Sequence, residues 1–93
     1  MNKRQNILDK TIRLIESANP SNVHNSIELL DDILAHLAML PNVELRVDMD
    51  NDRQIIVGGD LVAFVSYRPS LGTVLYGKYQ LINKLRGVKY HEQ

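Results

Sequence analysis

The chain has 93 residues, with 44% hydrophobic and 24% charged residues and no cysteine. That size and composition describe a single folded domain over 1–93 and exclude a disordered segment, a disulfide framework and a thiolate metal site. Formal net charge is zero, which argues against bulk electrostatic binding of nucleic acid. The charge is uneven along the chain. Residues 1–53 hold six Lys and Arg against nine Asp and Glu, and residues 54–93 hold five against two. No run approaches the ~20 apolar residues of a membrane span, so the expected location is cytoplasmic with no membrane partner.

A first helix is expected over about 2–18, where Ile7, Leu8, Ile12, Leu14 and Ile15 form one apolar stripe at helical spacing. Asn19-Pro20 ends it, because the residue before a proline is pushed out of the helical region. A second helix is expected over about 22–40, with Ile27, Leu30, Ile33, Leu34 and Leu37 inward. Asn25 followed three residues later by Glu28 resembles a capping box at its start. The short connection implies an antiparallel helical hairpin.

Val43 to Tyr76 reads as an antiparallel sheet of three or four strands, at about 43–49, 54–57, 61–67 and 73–76. Val43, Leu45, Val47 and Met49 alternate with Glu44, Arg46, Asp48 and Asp50, the period of a half-buried strand. Gly58-Gly59 between apolar runs is a two-residue hairpin signal, because the primed turns need positive φ at their centre. This sets Val57 opposite Asp60, Ile56 opposite Leu61 and Ile55 opposite Val62. A turn at Asn51-Asp52 sets Val47 opposite Ile56. One face then collects Val43, Leu45, Val47, Met49, Ile56, Leu61, Ala63, Val65 and Tyr67 as the core. The other carries Glu44, Arg46, Asp48 and Arg68, together with Ile55, Val57, Val62 and Phe64.

Four large apolar side chains on an otherwise solvated face imply a cover, which the last helix, a second copy or a partner would supply. Ile55, Val57, Val62 and Phe64 are therefore the expected protein interface. After a loop at Arg68 to Gly72 and the last strand, a short helix is expected over about 78–86 with Leu81, Ile82 and Leu85 inward, closed by Gly87. Val88 to Gln93 reads as a frayed tail. The architecture is α+β in the order ααββββα, with the helical hairpin packed on the sheet.

The tempting motifs fail on their own terms. Gly72 to Lys78 matches seven positions of the phosphate-binding loop G-x-x-x-x-G-K-[ST], but Tyr79 replaces the hydroxyl that holds magnesium, and strand formers fill the loop. Asp48-Met49-Asp50-Asn51-Asp52 begins like a calcium loop, yet Arg53 and Gly59 stand where that loop needs Gly and Glu. Asp32 and His36 supply only two ligands beside Glu28 on one helical stripe. His24, His91 and Ser66 have no nominated catalytic partner. The expectation is no catalytic, cofactor or metal site.

The leading functional expectation is a non-catalytic, self-associating interaction module, a homodimer or higher, acting as a small regulator or inhibitor of another macromolecule. The competing expectation is a nucleic-acid-binding regulator. Lys78, Tyr79, Lys84, Arg86 and Lys89 would then meet phosphates and stack bases.

Overall fold

The computed structural model describes residues 3–68 and 72–90. Two helices, α1 (Lys3–Ser17) and α2 (Ile27–Ala38), precede four strands, β1 (Val43–Val47), β2 (Arg53–Val57), β3 (Asp60–Arg68) and β4 (Gly72–Tyr76), and helix α3 (Lys78–Arg86) closes the order. The strands form one antiparallel meander, β1-β2-β3-β4. This is the expected ααββββα, α+β architecture. Pro69-Ser70-Leu71, in the expected loop, and His91-Glu92-Gln93, at the end of the expected tail, lie outside the described residues.

The helices cover one face of the sheet. Helix α2 reaches both β1 and β4, α3 lies on β3 and β2, and α1 packs chiefly on α2 and α3. The core draws Leu8, Ile12 and Ile15 from α1, Leu30, Ile33 and Leu37 from α2, and Leu81, Ile82 and Leu85 from α3. Each such buried aliphatic side chain contributes about 1.5–3 kcal/mol relative to exposure.

The helix ends differ from expectation at α2. Ser26, not Asn25, is the N-cap, its Oγ accepting from Leu29 N at 3.1 Å. Asn25 is engaged with the sheet instead. Its N–H donates to Thr73 O at 2.8 Å, and Thr73 Oγ1 donates to Asn25 O at 2.6 Å. Residues 21–26 therefore run as a connection beside the β4 edge, which shortens the helix relative to 22–40. The tail expected to fray is anchored as far as it is described: Val88 and Tyr90 pack against the core, and Tyr90 OH donates to Asn42 Oδ1.

Two register differences reassign the faces of the sheet. The turn between β1 and β2 spans Asp48 to Asp52, closed by Asp48 N–H to Asp52 O at 3.0 Å, with Asn51 at φ 65°. Val47 therefore pairs with Arg53 and Leu45 with Ile55, three residues away from the register of a turn centred on Asn51-Asp52. The Gly58-Gly59 hairpin forms as expected, with φ 59° and 87° and with Val57 opposite Asp60 and Ile56 opposite Leu61. Beyond it, a bulge inserts Val62, and Ile55 pairs with Ala63 rather than Val62. An extra residue reverses the side-chain alternation on one strand only.

The core face of the sheet is therefore Val43, Leu45, Ile55, Val57, Ala63, Val65 and Leu75, all in or packed against the buried cluster. Ile56 and Leu61, expected inside, lie on the opposite face. Val47 is 60% exposed at the strand end, and Met49 is fully exposed in the turn.

Gly77 locks this arrangement. It holds φ 82°, and a Cβ there would lie 2.5 Å from Val62 O and 3.0 Å from Ala63 Cα, at the bulge itself. Gly77→Ala is expected to lower stability by about 1–3 kcal/mol through backbone strain. Gly87→Ala, at φ −78° and with no contact closer than 3.5 Å, should change it by less than about 0.5 kcal/mol. Urea unfolding followed by circular dichroism measures both.

Candidate functional site

The four residues expected to form an interface are divided by the bulge. Ile55 and Val57 are fully buried under the helices, and Val62 packs against the same core. Burial inside one chain corrects the expectation that Ile55 and Val57 are free for a partner, and leaves Val62 only partly exposed. Phe64 alone lies on the open face, where it stacks on Tyr76 with ring centroids 4.7 Å apart and planes 22° from parallel. The stack follows from the β3–β4 register, which sets Phe64 directly opposite Tyr76.

The pairing gathers a different apolar set around that stack. Ile56, Leu61, Phe64, Val74 and Tyr76 share the face turned away from the helices. Leu61 is 57% exposed and Tyr76 37%, while Ile56 and Val74 are buried but stand outside the helix-covered core. On the β1 side this face ends in an exposed ion pair, Arg46 Nε to Glu44 Oε2 at 2.7 Å and Nη2 to Oε1 at 3.1 Å. The hydrogen bond from Arg46 holds the Glu44 carboxyl below its ordinary range. On the β4 side, Ser21, Asn22, His24, Ser66, Gly72, Val74 and Tyr76 line a recess of about 290 Å³. The arrangement is an apolar centre with polar margins, the anatomy of protein interfaces.

The residues expected to contact nucleic acid are largely engaged within the chain. Lys78 is buried, and its Nζ donates to Glu16 O at 3.1 Å and to Ala18 O. It thereby satisfies carbonyls at the C-terminal end of α1, where a helix leaves acceptors unpaired and favours a cation. The lysine of the apparent phosphate loop is thus a helix cap supplied by another element. Lys84 Nζ pairs with Asp60 Oδ2 at 2.6 Å, which lowers the Asp60 pKa, and Arg86 Nη2 pairs with Glu16 Oε2 at 3.1 Å. Tyr79 and Lys89 are exposed.

Two further clusters complete the polar surface. Lys10, Arg13, Leu14, Ser17, Asp32 and His36 line an open groove of about 450 Å³ between α1 and α2. His36 Nδ1 there donates to Asp32 O at 2.8 Å and stands 3.3 Å from the Asp32 carboxylate. At the β1–β2 turn, Asp48, Asp50 and Asp52 each offer a carboxylate oxygen within 4.8 Å of the others. Comparison with a full calcium-loop template hides this convergence, since the template fails at Arg53 and Gly59. The i, i+2, i+4 spacing of the aspartates is the signal that survives in the sequence.

Tyr67 ties the sheet to α2, its OH donating to Asp31 Oδ1 at 2.8 Å, with the Arg53 guanidinium 5.2 Å from its ring centre.

The fold and surface define a small α+β domain with one helix-covered and one open sheet face. Comparison with known proteins finds no matching family model, no matching curated protein and no matching solved structure. Among the described residues no helix is long and apolar enough to cross a membrane.

Burial, the Asp31 hydrogen bond and the Asp31 charge push the Tyr67 phenol up from 10.0 to about 12. A folded-state pKa above the unfolded one stabilises the fold fully below pH 10.0, and that stabilisation is lost as pH rises through about 12. Absorbance titration at 295 nm should show a phenol ionising near pH 12 that Tyr67→Phe removes. Separately, Lys78→Ala should cost about 1–3 kcal/mol, measured by urea unfolding, because it leaves carbonyls of Glu16 and Ala18 without their donor.

Proposed function

We propose that the protein is a non-catalytic protein-interaction module that self-associates through the open face of its sheet and acts as a small regulator or inhibitor of another macromolecule. The observation that carries the reading is the Phe64–Tyr76 stack with Leu61 beside it on a face the helices leave uncovered. Aromatic and aliphatic anchors clustered centrally inside a polar margin are the usual source of binding energy at protein interfaces. A formal net charge of zero removes the long-range repulsion that would oppose pairing of copies. The five-residue face around Leu61, Phe64 and Tyr76 replaces the surface read from the strand pattern, and only Phe64 is common to both.

Sizing with light scattering at about 100 μM, a concentration that populates complexes of micromolar affinity, tests the reading. The wild type should exceed the monomer mass. Leu61→Glu and Tyr76→Glu should each return a folded monomer with unchanged far-ultraviolet circular dichroism, because both side chains are substantially exposed. A monomeric wild type, or folded variants that keep the wild-type mass, would contradict it.

A further inference from the structure

We infer that the outer edge of β1 is a docking site for an extended segment of a partner protein, which adds to the sheet as a further antiparallel strand. The inference rests on the reading above only in taking the partner to be a protein, and it concerns a different surface from the open face. Asn42 O accepts from Gly58 N at 3.0 Å and Asp48 N donates to Asp52 O at 3.0 Å, so alternate peptide groups from Asn42 to Asp48 turn towards β2. Those of Val43, Leu45 and Val47 therefore turn outward, away from the sheet. Only the Val43 amide finds a partner there among the described residues, Leu40 O at 3.2 Å. Leu45 and Val47 present unpaired donors and acceptors, the template that strand addition uses. The opposite edge is engaged, since Asn25 bridges to Thr73 on β4.

The second observation is the side-chain pattern along that edge. Val43, Leu45 and Val47 belong to the helix-covered face, yet none is fully buried, and Val47 is 60% exposed. An added strand with apolar residues opposite them extends the core by one row. Glu44 and Arg46 lie on the open face, paired at 2.7 Å with side chains 54% and 61% exposed. Both stand where the added strand makes no ladder hydrogen bonds, the positions at which facing residues come closest. Charge therefore selects the strand: acidic opposite Arg46 and basic opposite Glu44. Running antiparallel to β1, it reads apolar-acidic-apolar-basic-apolar from its N-terminal end.

A second copy of the chain fits this edge less well than a foreign strand. Two β1 strands paired about a two-fold axis at Leu45 would set Glu44 of one copy against Arg46 of the other. Each Val47 carbonyl would then face a Val43 amide already donated to Leu40 O. A foreign strand meets every outward group except that one amide.

Nuclear magnetic resonance titration of the isotope-labelled chain tests the inference, in the wild type and in Leu61→Glu, whose open face is altered while β1 is untouched. The probe is a capped peptide, Thr-Val-Glu-Val-Lys-Val-Thr, added to about 1 mM, which reveals millimolar affinity. In both chains the amide signals of Leu45 and Val47 should shift saturably and gain protection from hydrogen exchange, well beyond those of Phe64 and Tyr76. Methylating the backbone nitrogen of the central valine, the donor to Leu45 O, should abolish binding. Exchanging the glutamate and lysine of the peptide should weaken it about fivefold or more, and Glu44→Arg combined with Arg46→Glu should restore it. If that double variant fails to fold, the methylated and exchanged peptides decide on the unchanged edge. No response at β1, an equal response to either control peptide, or a response centred on Phe64 and Tyr76 would overturn the inference. So would β1 shifts that grow with chain concentration in the absence of peptide, which would place a second copy there. A monomeric wild type in the sizing experiment would sink the open-face reading and leave this titration readable.

Discussion

One extra residue organises this sheet. Val62 is inserted into β3 opposite the β2 position where Ile55 would otherwise meet it. Without the insertion, Ile55 and Val57 would share a face with Val62 and Phe64, leaving Ala63 and Val65 to face the helices with Ile56. With it, Ile55, Val57, Ala63, Val65 and Leu75 align beneath α2 and α3 as one buried surface. Phe64 is left on the far side against Tyr76. A single insertion thus settles both the composition of the core and the identity of the exposed patch.

The start of α3 holds that insertion in place. Gly77 passes so close to Val62 O and Ala63 Cα that no side chain fits, and the next residue, Lys78, reaches across to the end of α1. Two consecutive residues therefore join β3, α3 and α1, which are distant in sequence. On the opposite edge, Asn25 and Thr73 stitch the α1–α2 connection to β4. These polar contacts orient layers whose stability comes chiefly from the apolar cluster between them.

The element order, the helical stripes and the Gly58-Gly59 hairpin were legible because each rests on local chemistry: periodicity, proline and glycine. Faces were legible only where registers were short-range. Val43, Leu45, Ala63 and Val65 were correctly placed inward, while Ile55 and Ile56 exchanged roles. Two features caused the exchange. A turn of five residues, Asp48 to Asp52, resembles a two-residue turn in composition, and the bulge carries no residue signature at Val62. The pairing of Lys84 with Asp60 and Arg86 with Glu16 depends on neighbours that only the fold supplies. A basic helix in sequence is therefore much less available in space. The Phe64–Tyr76 stack was hidden for the same reason, since the two rings are brought opposite each other by the β3–β4 register.

The central claim is that the bulge decides which apolar residues are core and which are surface. Nuclear Overhauser spectroscopy across β2 and β3 tests it most directly, because facing residues in an antiparallel pair bring their backbone protons close together. The account predicts cross-strand contacts joining Ile56 to Leu61 and Ile55 to Ala63, with Val62 unpaired. Contacts joining Ile55 to Val62 and Gln54 to Ala63, in an unbroken register from the Gly58-Gly59 turn, would contradict it.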